Sequence, residues 1–180
     1  MTAYQTIYDE AIGNYGLFST DQAKELGISN GTLAKLAHRG RLEHLGYGLY
    51  RIDKFVPNAN GLDAYACAVA RFGAGACLWG PSVLAARELC PTDPAQIFVA
   101  VPGRFRGRVP GGIVLKNNTP CPAPDNLEGI PAQPVDAAIL SSQHVVELPR
   151  LLEAVDAAKA AGLLDDTRAR NTVKELYKHD

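Results

Sequence analysis

The amino-acid sequence predicts an α+β fold in two parts, a helix-rich domain over residues 1–54 and a small mixed α/β domain over residues 60–180. In the first part, apolar residues recur at helical spacing and are followed by two short strand-like runs. In the second part, apolar strand-like runs alternate with helical patterns. Between them lies KFVPNAN, residues 54–60, in which one proline and two asparagines indicate a turn or linker.

The composition is that of an ordinary soluble globular chain, with 47% hydrophobic and 21% charged residues. No run approaches the roughly 18 apolar residues of a membrane span, and no apolar export signal follows the first residues. We therefore expect a cytoplasmic protein without a membrane partner. Four cysteines lack the spacing of metal ligands, so no metal and no cofactor is expected. They are Cys67, Cys77, Cys90 and Cys121.

Formal net charge is −1, so the overall charge neither favours nor excludes a nucleic-acid partner. Its distribution is more informative. Bases outnumber acids by five to three in residues 19–51 and by six to two in residues 71–116, whereas residues 117–180 carry six bases and ten acids. A basic front and an acidic tail are compatible with DNA binding at one end of the chain and a different role at the other.

The first predicted helix lies within residues 2–15, where Tyr4, Ile7, Ala11 and Ile12 share one face. It would pack beneath the elements that follow, and the glycines after it would end it.

A second, short helix is predicted to begin at Thr20. Ser19 and Gln22 have the spacing of a capping box, in which each side chain satisfies a backbone amide of the other residue. Ala23 and Leu26 would give this helix an apolar face.

The third helix follows after a tight turn. Gly27 tolerates the positive φ of a helix exit, and Ser29 is placed to cap the next helix. In that helix Leu33, Leu36 and Ala37 point inward at i, i+3 and i+4. Strands are then predicted over residues 41–45 and 49–52, with a Gly-Tyr-Gly turn between them. This order of elements is that of a winged helix-turn-helix domain.

The face of the third helix opposite its apolar residues is small or cationic, which suits a helix that enters the DNA major groove. Lys35, Arg39 and Arg41 suit phosphates or guanine edges, and Gly31 lets the backbone approach the duplex. The alternative is a winged domain used only to dock another protein. The residues predicted to contact DNA are Asn30, Gly31, Thr32, Lys35, His38, Arg39, Arg41, Tyr47 and Arg51.

Four motifs in order carry a resemblance to a known family. They are GLFSTDQA at 16–23, GIS at 27–29, GRL at 40–42 and GLYR at 48–51. The stretch resembles the N-terminal domain of AbiEi-type antitoxins of type IV toxin–antitoxin systems. This resemblance implies a DNA-binding regulator whose winged domain represses its own operon by binding the operator duplex. It also implies a C-terminal domain that counteracts a nucleotidyltransferase-like toxin.

The second part is predicted to begin with a buried, alanine-rich helix, LDAYACAVARF, capped by Asn60 and Asp63. Glycine-rich tight turns follow, and Pro81 is placed in the first turn of another helix. Pro94 would open an apolar strand, AQIFVAV, and residues 112–117 would be its partner. More loosely, SVLA at residues 82–85, in the helix that follows Pro81, is similar to the C-terminal region of the same family.

Between these two strands, Arg104, Arg106 and Arg108 alternate among glycines and prolines. In an extended backbone all three side chains would share one face. Two interpretations stay open, a second basic surface that contacts phosphates and a solvated hairpin loop.

The rest of the chain is predicted to be mostly helical, after a proline-rich segment. In the last helix Val173, Leu176 and Tyr177 would lie on one side. The predicted elements are an edge strand at 127–130 and helices that begin at Pro134, at Leu148 and at Asp165 or Asp166.

No motif of catalysis is present, such as Gly-x-Ser-x-Gly or His-Glu-x-x-His. Asp63, Asp136, Glu147 and His144 are explained more simply as helix caps and surface charges, and Trp79 as a core residue. We therefore expect no enzymatic activity, and a small nucleic-acid enzyme is the weakest alternative. The oligomeric state stays open, with a homodimer on DNA as one arrangement.

Overall fold

A computed structural model describes residues 2–90 and 96–178. It contains helices and two separate sheets, which confirms the α+β class. The chain divides into two compact units, residues 1–73 and 74–180. The predicted domain limits, 1–54 and 60–180, concern independent folding and stay a prediction, but the observed division lies later in the chain.

The first unit is a winged helix-turn-helix with one additional helix. Its sheet has the strand order β1-β3-β2, and both pairs of strands are antiparallel. In chain order the elements are α1 (Ala3–Ile12), β1 (Leu17–Ser19), α2 (Thr20–Glu25), α3 (Asn30–His38), β2 (Leu42–Gly46), β3 (Leu49–Ile52) and α4 (Asp63–Ala70).

Both predicted caps of the helix-turn-helix are present. The Gln22 amide donates to Ser19 Oγ at 3.1 Å, and the Ser19 amide donates to Gln22 Oε1 at 2.8 Å, which completes the capping box of α2. At α3 the Thr32 amide donates to Ser29 Oγ at 3.2 Å. Gly27, between the two helices, has φ +71° as the turn requires. Local sequence therefore sets where α2 and α3 begin.

The core of this unit is assembled from every element between α1 and β3. Its buried residues are Ile7, Ala11, Phe18, Ala23, Leu33, Leu42 and Ile52. Two residues predicted to face inward do not. Ile12 is 50% exposed because it is the last residue of α1 and lies about 140° around the helix from Ile7. Leu26 is 44% exposed because α2 ends at Glu25, and Ile28 packs against the core instead.

A strand before α2 was not predicted. β1 pairs with β3 in the register Leu17↔Arg51 and Ser19↔Leu49, so the wing sheet has three strands. Just before it, Gly16 has φ +68°, and a Cβ there would lie 2.5 Å from the Phe55 ring. Phe55 packs against the core, so the predicted linker begins inside the folded unit.

Asn60 and Asp63 were predicted to cap α4, but their side chains instead accept hydrogen bonds from backbone amides in the segment that leads to the helix. The Asn60 side chain accepts from the Leu62 amide at 3.1 Å, and Asp63 accepts from the Asn58 amide. No side chain caps the N-terminus of α4 itself. After the helix, Arg71 Nη1 donates to the Leu45 carbonyl at 2.6 Å, which connects this segment to β2.

The second unit has a five-stranded mixed sheet in the order β6-β5-β4-β8-β7. The predicted start of β5 at Pro94 lies outside the described residues. The elements are β4 (Cys77–Leu78), α5 (Pro81–Ala86), β5 (Ile97–Ala100), β6 (Ile113–Lys116), β7 (Asp125–Leu127), β8 (Ile130–Ala132), α6 (Val135–Ser141), α7 (Leu148–Ala160) and α8 (Asp166–Leu176).

The middle strand, β4, lies in a stretch for which the sequence predicted only tight turns. It pairs antiparallel with β5 and parallel with β8. Both of its residues are buried, and a strand of two residues is too short to produce a periodic pattern. The turn after it is fixed by Gln133, whose Oε1 accepts from the Gly80 amide at 3.0 Å.

The two strands beside the arginine-rich segment are parallel, with Ile97 opposite Ile113 and Ala100 opposite Lys116. The interpretation of the arginine segment as a hairpin loop is therefore wrong, whereas the pairing of the two strands is confirmed. Parallel partners need a connection that returns along the strand, and residues 101–112 supply this crossover without a helix.

The predicted edge strand at 127–130 is a turn with a strand on each side. β7 and β8 form a hairpin in which Leu127 pairs with Ile130. Glu128 and Gly129 both have positive φ, as a two-residue hairpin turn requires.

The three last helices lie where the sequence placed them. Asp165 caps α8 by accepting from the Thr167 and Arg168 amides at 2.8 and 2.7 Å. Tyr177 does not face inward, since it follows the last residue of α8 and is 60% exposed. Trp79, predicted in the core, is half-buried.

Candidate nucleic-acid interface

The N-terminal turn of α3 is the first part of the candidate interface. Asn30 and Gly31 are exposed, and a Cβ at Gly31 would meet only Ser29 Oγ, at 3.8 Å. Thr32 is half-buried, and its hydroxyl lies 3.0 Å from Ser29 Oγ. Thr32 therefore completes the cap of α3. Asn30 is exposed at the position where recognition helices contact base edges.

Further along α3, the predicted cations project outward. Lys35, His38 and Arg39 are exposed, and Leu33 on the opposite side is fully buried. Lys35 and His38 are one turn apart, so they lie on the same side of the helix. The burial of Leu33 fixes the rotation of α3, and this rotation is what exposes the cations.

The wing turn is held against the start of α2. The Thr20 amide donates to the Gly48 carbonyl at 2.8 Å, and a Cβ at Gly48 would collide with the Thr20 side chain. Gly46, Tyr47 and Gly48 all have positive φ. Tyr47 is 52% exposed at the tip, where a wing residue reaches a neighbouring groove or the DNA backbone.

The two strands of the wing are supported by aromatic packing. His44 and Tyr50 are opposite each other in the β2–β3 register and stack with ring centroids 4.7 Å apart. Tyr50 also packs against the core. The wing is thus joined to the core, so its tip is carried on a rigid base.

The predicted arginines of the wing differ in accessibility. Arg41 is exposed, and its guanidinium lies over the Tyr4 ring at 3.9 Å from the centroid. A cation–π contact leaves the guanidinium edge available to a phosphate. Arg51 is half-buried in the central strand, and its Nε is buried with no hydrogen-bond partner among the described residues. Arg51 is therefore less suited to DNA than the cations of α3.

One basic residue near the interface was not predicted. Lys24 is exposed in the last turn of α2 and lines, with Asn30, a cavity of about 390 Å³ at the turn between α2 and α3. The prediction took its residues from the third helix and the wing and included none from α2. The sequence signal for Lys24 was its position, because it lies only three residues before Gly27 in the turn that leads to α3.

The second predicted basic surface belongs to the other unit and is described separately. Arg104, Arg106 and Arg108 are all exposed on the crossover between β5 and β6. The crossover is anchored there, since the Phe105 amide donates to Asn117 Oδ1 at 2.8 Å. No aspartate or glutamate occurs in residues 96–124, so the segment contains no acid of its own.

Each titratable residue considered for catalysis has another place in the fold. Burial would raise the pKa of Asp136, but the hydrogen bonds from Arg168, at 2.9 and 3.1 Å, and from the Ala137 amide outweigh it and lower the pKa. His144 is exposed after α6, and Glu147 precedes α7. Asp63 accepts the backbone bond described above. Among residues 2–90 and 96–178, no group of three or more His, Cys, Asp or Glu could hold a metal ion.

No helix in the described part of the chain is both long and apolar enough to cross a lipid bilayer.

Comparison with known proteins finds a similarity within the first unit. Residues 5–52, which run from α1 to the end of β3, match a family model described as a transcriptional regulator, AbiEi antitoxin. No curated protein matches the chain. The matched family is one of regulators and not of enzymes. The N-terminal region of this chain is thus similar to the AbiEi antitoxin family of transcriptional regulators, which confirms the resemblance recognised in its motifs.

Proposed function

We propose that this protein is a DNA-binding regulator that represses its own operon through the winged domain. The outward face of α3 carries this proposal, because Asn30, Gly31, Lys35, His38 and Arg39 are all exposed on a helix fixed by its buried side. A helix of this kind fits the major groove, where cationic side chains contact guanine edges and phosphates. Such a regulator acts in the cytoplasm on the operator duplex.

A titration of operator affinity against salt tests this function. Each neutralised phosphate contributes about −0.9 to the slope of log K against log salt. With Lys35, Arg39 and Arg41 and one or two further contacts, we expect a slope of roughly −3 to −5 per protomer. The measurement is fluorescence anisotropy with the duplex upstream of its own gene, with a scrambled duplex as control. Absent or salt-independent binding would favour a winged domain that docks a protein.

The crossover arginines form the second proposed contact. Arg104 and Arg106 are exposed on an anchored segment that lacks acids, which suits sequence-independent phosphate contacts. In the same titration, the double variant Arg104→Gln/Arg106→Gln should lower the magnitude of the slope. An unchanged slope would leave the alternative, a solvated crossover.

We further propose that the protein counteracts a nucleotidyltransferase-like toxin. The family match over residues 5–52 and the looser resemblance of the second unit support this activity. Co-expression with a nucleotidyltransferase-like protein encoded beside its gene should restore growth of the host. Deletion of residues 74–180 should remove this protection. If the full chain gives no protection, the protein is a regulator without antitoxin activity.

Binding by two copies is the arrangement we propose for an operator with inverted half-sites. Two winged domains would then occupy half-sites about one or more helical turns apart. Sedimentation of the complex with one half-site and with two measures the stoichiometry.

A further inference from the structure

One cation of the candidate interface, Arg41, is held through both polar groups of its backbone. Gly40 has φ +68° just after α3, and the Arg41 amide donates to the Leu36 carbonyl at 2.9 Å. The Arg41 carbonyl accepts from the Asp53 amide at 3.0 Å, directly after β3. The backbone at Arg41 therefore joins the end of the third helix to the end of the wing, which gives its Cα a fixed place in the fold.

The side chain of Arg41 is placed by an aromatic residue of the first helix. Its Cζ atom lies 3.9 Å from the centroid of the Tyr4 ring, within the range of a cation–π contact. Tyr4 is half-buried in the first turn of α1, and its ring is tilted by 44° against the Tyr8 ring, with centroids 6.2 Å apart. Tyr8 follows one helical turn later, so the spacing along α1 brings the two rings together. Ile7 of the same helix is fully buried and fixes the rotation of α1.

We propose that Tyr4 is a positioning residue for DNA binding, whose ring holds the Arg41 guanidinium ready to contact a backbone phosphate. This inference rests on the proposed function, in which the winged domain binds the operator. An exposed arginine has a long side chain with many rotamers, and ordering it on binding costs free energy. A ring that orders the side chain before DNA arrives lowers this cost. A residue of α1, a helix without a predicted DNA contact, thereby raises the affinity for the duplex.

The contact with Tyr4 does not withdraw Arg41 from solvent. Arg41 is exposed although its guanidinium lies over the ring. The N–H donors of a guanidinium lie in its plane, whereas an aromatic ring attracts its face, so the donors stay available to a phosphate. A neighbouring carboxylate would compete with the phosphate, but none of the ion pairs within residues 2–90 and 96–178 involves Arg41. Tyr4 therefore orders the cation without neutralising it.

Substitutions of Tyr4 that keep or remove the ring test the proposal in the full chain. Tyr4→Leu should weaken binding to the duplex upstream of its own gene by about two- to tenfold, which corresponds to ordering one arginine side chain. Tyr4→Phe keeps the ring and should bind like the parent. Fluorescence anisotropy measures the affinities, and circular dichroism checks that each variant is folded at the temperature of the titration.

A double-mutant cycle shows whether Tyr4 acts through Arg41. In the Arg41→Ala background, Tyr4→Leu should have no measurable effect on affinity, because no guanidinium is left to position. Lys35→Ala is the matched background, since Lys35 is an exposed cation of the same interface on α3. There, Tyr4→Leu should weaken binding as much as it does in the parent. A purely structural effect of Tyr4 on the domain would appear equally in both backgrounds.

A measurement on the parent protein keeps the test valid if Tyr4→Leu does not fold. The ring current of Tyr4 should shift the side-chain N–H signals of Arg41 upfield in the NMR spectrum without DNA. These signals are identified by their absence in Arg41→Lys. They should change when the operator duplex is added, because the guanidinium then meets a phosphate.

The outcomes separate this inference from the proposed function. If the parent binds the operator with the expected salt dependence but Tyr4→Leu binds equally well, or is equally weakened in both backgrounds, the role of Tyr4 is overturned alone. Arg41 signals without an upfield shift would overturn it as well. If the parent does not bind the duplex at all, the proposed function fails and this inference fails with it.

Discussion

At the scale of the residue, two side chains of α3 separate binding from folding. Arg39 is exposed at the end of the helix, and Leu33 is fully buried beneath it. The two roles are separate, because Arg39 is exposed to solvent whereas Leu33 belongs to the core cluster that contains Ile7 and Phe18. A substitution on the exposed side of this helix should therefore lower DNA affinity and leave stability unchanged. A substitution on the buried side should lower stability.

We expect Arg39→Ala to weaken operator binding at least about fivefold, since loss of a base-reading contact costs about 1–3 kcal/mol. Its melting temperature should hardly change, because exposed substitutions usually alter stability by less than about 0.5 kcal/mol. Fluorescence anisotropy and thermal melting measure the two effects. Lys35→Ala and His38→Ala should behave in the same way. If all three bind DNA like the parent, α3 does not enter the groove.

Leu33→Ala is the matched control within the same helix. Truncation of a buried leucine costs about 2–5 kcal/mol of stability. Urea unfolding should show a lower midpoint, and DNA affinity measured well below that midpoint should change less than in Arg39→Ala.

At the scale of the element, one ion pair joins α6 to α8. Arg168 Nε and Nη2 donate to the two carboxylate oxygens of Asp136 at 3.1 and 2.9 Å. The side chains are 30% exposed for Asp136 and 44% for Arg168, so solvent screens the pair and its contribution is modest. Its bidentate geometry is nevertheless specific, and it fixes how the last helix lies on α6.

This pair predicts a dependence of stability on pH. The folded-state pKa of Asp136 is below its ordinary value of 3.8. The contribution is therefore present above this value and is lost as the pH falls through the lower, folded-state pKa. Urea unfolding between pH 7 and pH 2, measured for the parent and for Asp136→Asn, tests it. The difference in stability should shrink at the acid end. If the difference in the free energy of unfolding between the parent and Asp136→Asn were the same at every pH, the charge of Asp136 would not contribute to stability.

At the scale of the whole molecule, the position of the boundary decides which fragments fold. Phe55 packs against the core of the winged domain, and Arg71 bonds to the Leu45 carbonyl. Both residues lie beyond residue 54, where the sequence placed the end of the first domain. They belong to the first compact unit, residues 1–73.

We expect a fragment of residues 1–73 to bind the operator and to melt at a higher temperature than a fragment of residues 1–54. Residues 74–180 should fold alone, because they contain a complete sheet with its helices. Circular dichroism and thermal melting of the purified fragments measure this. Equal melting of the two N-terminal fragments would place the boundary at the linker, as the sequence predicted.

The sequence by itself determined the features that depend on neighbours in the chain. The capping box at Ser19, the cap at Ser29, the positive φ at Gly27 and the outward cations of α3 all follow from spacing within one or two turns of helix. The motifs in these elements also supported the family resemblance that the match over residues 5–52 confirms. Local hydrogen bonds and helical periodicity act over a few residues, so a single sequence is enough to reveal them.

Only the tertiary structure decided the features that depend on distant partners. The strands β1 and β4 have three and two residues and exist because β3, β5 and β8 pair with them. The parallel pairing of β5 with β6 excluded the hairpin interpretation, although either arrangement is compatible with the same two apolar runs. The half-burial of Arg51 in the central strand of the wing sheet has the same origin. Such pairings are set by the packing of segments far apart in the chain, which local periodicity does not encode.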